Sequence, residues 1–201
     1  HHNLGLLFMQ QQQSNEAVTH LEKALKGNLK DPDILNSLGV ALAAVEEFDE
    51  AIEHHQQAIE IKPRDPNYHY NLAAAFKQQG KAAAALKHYQ QAYELAPQRP
   101  IMANALAWML ATSEDENLRQ NPKAVELATQ ACQATENAMP EMLDTLAAAY
   151  AAAGDFEKAA TTGGRAATLA RSLGNAKLAR EIQERLRLYR DEKPYVEERL
   201  P

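Results

Sequence analysis

Leu4, Leu38, Leu72 and Leu106 recur every 34 residues, and Ala17, Ala51 and Ala85 keep the same interval, each 13 residues after its leucine. A second small residue stays in step at Ala24, Ala58 and Ala92, and Pro63 and Pro97 close two of the units. Self-similarity at a fixed period of this length restricts a chain to an array of one supersecondary unit. Apolar residues spaced three and four apart put one stripe on each of two antiparallel helices per unit, and the recurring small residues are hollows for bulky side chains of the facing helix. A single pair cannot bury its stripe alone, so units must stack, and about three are needed for stability. Five units are visible in the 201 residues.

Repeat two reads Leu35-x2-Leu38-Gly39-x2-Leu42, followed by Ala51, His55, Ala58 and Pro63; repeat three reads His69-x2-Leu72-Ala73-x2-Phe76, followed by Ala85, Tyr89, Ala92 and Pro97. With the Leu4-Gly5 and Leu38-Gly39 pairs, this pattern resembles the tetratricopeptide repeat. Both units lack the family's tryptophan at the first of these positions. The resemblance covers almost the whole chain and implies an all-α fold: a right-handed α-α superhelix, or solenoid, of about five helix-turn-helix repeats plus a C-terminal capping helix. The repeats are expected at about 1–31, 32–65, 66–99, 100–138 and 139–173 and the capping helix at 175–190, so that residues 1–191 form one solenoid and 192–201 a tail.

Local signals agree with these boundaries. Gly80 and Gly154 fall between the helices of repeats three and five, and Asp31-Pro32 and Asp65-Pro66 stand at entrances to new units. Repeat four breaks the rhythm, with 40 residues between Leu106 and Leu146, and the added residues lie in the polar stretch from Thr112 to Pro122. That stretch reads as a surface loop, either an insertion the fold tolerates or a binding loop. Asn175 caps a last helix with Leu178, Ile182, Leu186 and Tyr189 on one side, the usual cover for an open terminal face. Lys177, Arg180, Arg185, Arg187 and Arg190 lie outside that stripe and read as a solvated outer face.

Charge and composition close off several functions. The formal charge is −6, whereas a nucleic-acid binder needs a basic face for phosphates, so no nucleic acid is expected as a partner. The single cysteine, Cys132, excludes an intrachain disulfide and a four-thiolate zinc site, and its place beside Ala131 makes it a core residue. No run of 18 apolar residues occurs, so no direct membrane insertion of this segment is expected. The segment reads as soluble, with the cytoplasm slightly favoured and the compartment otherwise open. It begins inside a helical pattern at His1-His2-Asn3-Leu4-Gly5, which suggests a piece of a longer chain unless the two histidines are tag remnants.

The common signatures of chemistry are missing: no phosphate-binding loop, dinucleotide-binding loop, H-E-x-x-H or C-x-x-C occurs. No enzyme activity, catalytic residue, metal site or cofactor is therefore expected. His20, His54 and His88 stand 34 apart, but stacked helices sit about 8–10 Å apart while zinc–nitrogen bonds are about 2.0–2.1 Å, so the repetition reads as a packing position.

What remains is binding. The family resemblance implies a peptide or protein partner held in the groove lined by the first helices. Carried onto this chain, the lining is Asn36, Val40, Tyr70, Ala74, Lys77, Asn104, Trp108 and Asp144, with Tyr70, Lys77 and Trp108 expected to anchor a ligand. A carboxylate clamp of the co-chaperone kind is not expected, because Val40 and Ala74 stand where polar members would. Self-association is left open. An alternative is an accessory recognition region of a larger enzyme such as a glycosyltransferase, since the segments around Trp108, Leu143 to Tyr150 and Arg187 to Tyr195 resemble the C-terminal part of large bacterial repeat proteins.

Overall fold

Asp31-Pro32 and Asp65-Pro66 start helices by the same local chemistry. The Asp31 carboxylate accepts hydrogen bonds from the backbone N–H groups of Asp33 and Ile34 (3.0 and 3.2 Å), and the Asp65 carboxylate accepts one from Asn67 (2.9 Å). Each proline takes the first turn, where its missing N–H costs nothing. The computed structural model describes residues 1–197 and holds, among them, eleven α-helices and no strand. None of the helices is long and apolar enough to cross a membrane. The chain divides into two compact units, His1–Leu95 and Ala96–Pro201.

The first unit contains α1 (His2–Gln10), α2 (Ser14–Gly27), α3 (Pro32–Ala44), α4 (Phe48–Ile61), α5 (Pro66–Gln78) and α6 (Ala82–Leu95), packed as successive pairs. The recurring leucines fill the layer between pairs. Leu38 of α3 packs with Ala17 and Leu21 of α2, and Leu72 of α5 packs with Ile52 of α4. Each fully buried leucine contributes about 1.5–3 kcal/mol, so this position adds the same stabilisation wherever the repeat buries it. Leu4 holds the same register but is 39% exposed, because no second helix precedes α1 among the described residues.

The Leu-Gly pairs are explained by the residue sixteen positions on. A Cβ added at Gly39 would lie 2.8 Å from the His55 ring, and one added at Gly5 would lie 2.6 Å from Leu21. In the third repeat the corresponding pair is Ala73 and Tyr89, both buried. The turns between helices also keep a 34-residue register, in a form less visible in sequence. Gly80 has φ +77°, and its equivalents Gln12 and Glu46 adopt φ 59° and 68°. All three repeats therefore use the left-handed region, and only the third supplies the residue that favours it.

The second unit contains α7 (Pro100–Thr112), α8 (Asn121–Ala134), α9 (Pro140–Ala152), α10 (Phe156–Ser172) and α11 (Ala176–Arg190). Between α7 and α8 the inserted stretch is ordered by its own polar groups: Asp115 caps a short 3-10 turn at Glu116–Leu118, and Arg119 donates to the Ser113 carbonyl (2.6 Å). Its tip is exposed, but Thr112 and Ser113 at its start are buried. Helix α11 lies on α10 with Ala179, Ile182, Leu186 and Tyr189 buried, and Leu186 sits over Gly163, where an added Cβ would come within 2.9 Å. Cys132 is buried in α8, and burial pushes its thiol up to about 11.

Candidate functional site

In the first unit α3 and α5 stand side by side, joined by a hydrogen bond from Asn71 Nδ2 to Asn36 Oδ1 (3.1 Å). The same oxygen lies 3.0 Å from His55 Nδ1. An amide oxygen only accepts, so the His55 proton sits on Nδ1. Burial lowers the His55 pKa to about 4, which keeps the ring neutral near pH 7. Asn36 is thus a node that joins three helices and still reaches the surface in part.

Asn36 and Val40 are one turn apart on α3; Tyr70, Ala74 and Lys77 share one side of α5, at positions four and seven apart. All five are partly exposed. The Tyr70 ring meets the buried Tyr89 edge-on, with centroids 5.6 Å apart, and burial raises the Tyr70 hydroxyl above its usual value. The remaining three expected residues, Asn104, Trp108 and Asp144, lie in the second unit. Asn104 and Trp108 are one turn apart on α7, both partly exposed, and the Asn104 Oδ1 is buried with no hydrogen-bond partner among the described residues.

Asp144 is buried, at 4% exposure, and is held by Arg185 of α11: Nε to Oδ1 is 3.1 Å and Nη2 to Oδ2 is 2.6 Å. Burial raises the Asp144 carboxyl above its ordinary range, against the attraction of the guanidinium. Arg185 is therefore not part of a solvated outer face, in contrast to the reading of the basic residues of α11. Its side chain is only 11% exposed, and its guanidinium lies 5.4 Å from the centres of both the Trp108 and Tyr195 rings. The pattern carries a signal for this. Ile182, Arg185, Leu186 and Tyr189 fall at i, i+3, i+4 and i+7, so Arg185 belongs to the buried stripe, and a carboxylate in the otherwise apolar run of α9 demands a cationic partner.

Two further residues join this cluster from the tail. Trp108 Nε1 donates to Glu197 Oε2 (2.9 Å), and the Trp108 and Tyr195 rings are 5.8 Å apart. Neither Tyr195 nor Glu197 is marked by periodicity, since both lie beyond the last helix.

Two of the repeated histidines, His20 and His88, pack against rings of their own helix pairs, while the His54 Nδ1 is buried with no hydrogen-bond partner among the described residues. His88 stacks on His69 and Phe76, at 5.5 and 5.7 Å, and burial lowers its pKa to about 4. His69 Nε2 lies 2.9 Å from the Pro63 carbonyl, so it carries the proton there, and its Nδ1 accepts from His88 Nδ1 (3.2 Å). No group of three or more metal-ligating side chains occurs among the described residues.

Three repeat models match the sequence: one described as TPR repeat over residues 44–80, and two described as tetratricopeptide repeat over residues 66–99 and 1–28. No curated protein sequence matches the chain. Several solved structures share the fold. A thermophilic TPR protein of Thermus thermophilus is 20% identical with a TM-score of 0.68, over 94% of this chain and 96% of that one. PilW, described as a widely conserved type IV pilus biogenesis factor, is 20% identical with a TM-score of 0.71, over 92% and 90%. YrrB, described as a TPR protein with an unusual peptide-binding site, is 17% identical with a TM-score of 0.65, over 91% and 90%. At these identities the likeness concerns the fold.

Proposed function

This chain is a tetratricopeptide repeat protein, and we propose that it works as a scaffold that holds a peptide or protein segment against the faces of its first helices. One observation carries the reading. On α3 and α5 the core is made by Leu35, Leu38, Leu72 and Ala75, while Asn36, Val40, Tyr70, Ala74 and Lys77 stay partly exposed at equivalent registers of two adjacent helices. Tyr70 packs edge-on against Tyr89 and is still partly exposed. A partly exposed tyrosine offers large contact area at little entropic cost, Val40 and Ala74 give an apolar floor, and Lys77 supplies a charge for a partner carboxylate. The peptide-binding site ascribed to YrrB is in keeping with this use of the fold. The reading assigns the chain no catalytic step.

The test is selection of peptides from a random display library on the full chain, followed by affinity measurement on Tyr70→Ala/Lys77→Glu. Selected peptides should lose about 2 kcal/mol or more of binding with helical content unchanged. Affinities that do not change in the folded double variant overturn the assignment to this face.

A further inference from the structure

Residues 192–197 leave α11 and fold back onto α7 of the same unit. Glu192 takes a left-handed φ of 55°, and the Lys193 N–H donates to the Leu188 carbonyl (2.9 Å), which ends the helix. Pro194 follows and cannot continue it. Residues 191–194 are exposed, whereas Tyr195, Val196 and Glu197 are partly buried. Three kinds of contact hold these last residues. The Tyr195 ring shares the Arg185 guanidinium with Trp108, the Glu197 carboxylate accepts from the Trp108 indole, and the Glu197 N–H donates to the Thr112 carbonyl (2.8 Å) in a parallel bridge with Ser113. An aromatic stacked on a cation, an acid on an N–H donor and a main-chain rung are the elements by which a folded surface reads an extended peptide. None of these contacts depends on covalent continuity with α11.

We propose that the surface formed by Trp108, Arg185 and the Thr112–Ser113 edge is a docking site for an extended peptide of the pattern aromatic-x-acidic, which Tyr195-Val196-Glu197 occupies in cis until a partner's segment displaces it. This inference rests on the scaffold reading above and gives it a partner class. Arg185 favours a ring electron cloud at the first position, and the indole N–H requires an acceptor at the third, so basic or purely aliphatic segments leave both unused. The linkage through α11 holds the tail at an effective concentration of roughly millimolar order. The intact chain is therefore closed to weak ligands and opens to segments that bind more tightly than its own tail.

The experiment compares the full chain with its Tyr195→Ala/Glu197→Ala variant, using a labelled hexapeptide that copies residues 192–197 and fluorescence anisotropy. The variant should bind this peptide at least tenfold more tightly than the unaltered chain. Trp108 is the only tryptophan, so its emission should shift to the red in the variant and return when peptide is added. Peptides with alanine for the tyrosine or glutamine for the glutamate should bind the variant at least tenfold more weakly. A variant of unchanged helicity that neither binds the peptide nor recovers its emission overturns the proposal and makes the tail a structural wrap. Should the double variant lose helix, Glu197→Gln alone decides: at least threefold tighter peptide binding than the unaltered chain supports the proposal, and equal binding overturns it. Failure here while library peptides still respond to Tyr70→Ala/Lys77→Glu leaves the scaffold reading standing; failure of both ends it.

Discussion

Asp144 on α9 and Arg185 on α11, 41 residues apart in sequence, form a two-pronged ion pair with side chains 5% and 11% exposed. Two charges taken out of water in this way gain little over a well-packed apolar pair, but either one alone is costly.

Arg185→Met should therefore destabilise the second unit by about 3–5 kcal/mol, and Asp144→Leu/Arg185→Met should recover most of the loss. In the single variant the folded carboxyl titrates above its unfolded value, so the folded state binds the extra proton and stability rises as pH falls through that interval. Urea unfolding at pH 7 and pH 4.5 checks both points. A single variant no weaker than the double would refute the account.

Helix α11 should behave as a cover of α10, and the contact of Leu186 with Gly163 offers a test of it. Leu186→Ala leaves a hole over Gly163 and should cost about 2–5 kcal/mol, whereas Leu173→Ala, at a site 63% exposed, should stay within about 0.5 kcal/mol. Adding Gly163→Ala to Leu186→Ala places a methyl in that hole, so the double variant should be more stable than the sum of the single losses. Additive losses would mean that the two residues do not share the space.

The first unit should weaken in acid because of His55. Its pKa, lowered by burial to about 4, lies below the unfolded value of 6.5, so the unfolded state binds the proton first. Stability is complete above about pH 6.5 and falls as pH drops towards 4, by on the order of 3 kcal/mol from this group. Amide exchange in α3 and α5 between pH 7 and pH 4.5, corrected for intrinsic rates, should show the loss. His55→Gln, which can still donate to Asn36, should reduce this dependence and leave the share of His88, whose pKa burial also lowers to about 4; an unaltered pH profile in that variant would assign it elsewhere.

Glu46 has φ 68° at the turn where the next repeat has Gly80. A non-glycine residue pays roughly 1–2 kcal/mol in that region, while glycine adds about 0.5–1 kcal/mol of unfolded-state freedom. Glu46→Gly should thus raise stability by a few tenths to about 1 kcal/mol, and Glu46→Val should lower it. Thermal melts of the three chains at one pH rank them, and a destabilised glycine variant would contradict the prediction.

The sequence by itself determined the repeat, and with it the helix pairs. Leu38, Leu72 and Ala51 recur at fixed spacing because every pair meets its neighbour through the same contact, so one local rule is written several times. The Asp-Pro caps were legible for the same reason: their hydrogen bonds reach only two or three residues along the chain. The positions proposed for binding on α3 and α5 are those the family resemblance implies, and the structure leaves them partly exposed. Only the tertiary structure decided which groups Asp144, Trp108 and Arg185 meet. Their cluster joins three helices and a tail outside the repeat, through contacts 41 and 89 residues apart that occur once. Periodicity reveals what packing repeats; a buried charge chooses its partner by proximity in space, which no spacing along the chain encodes.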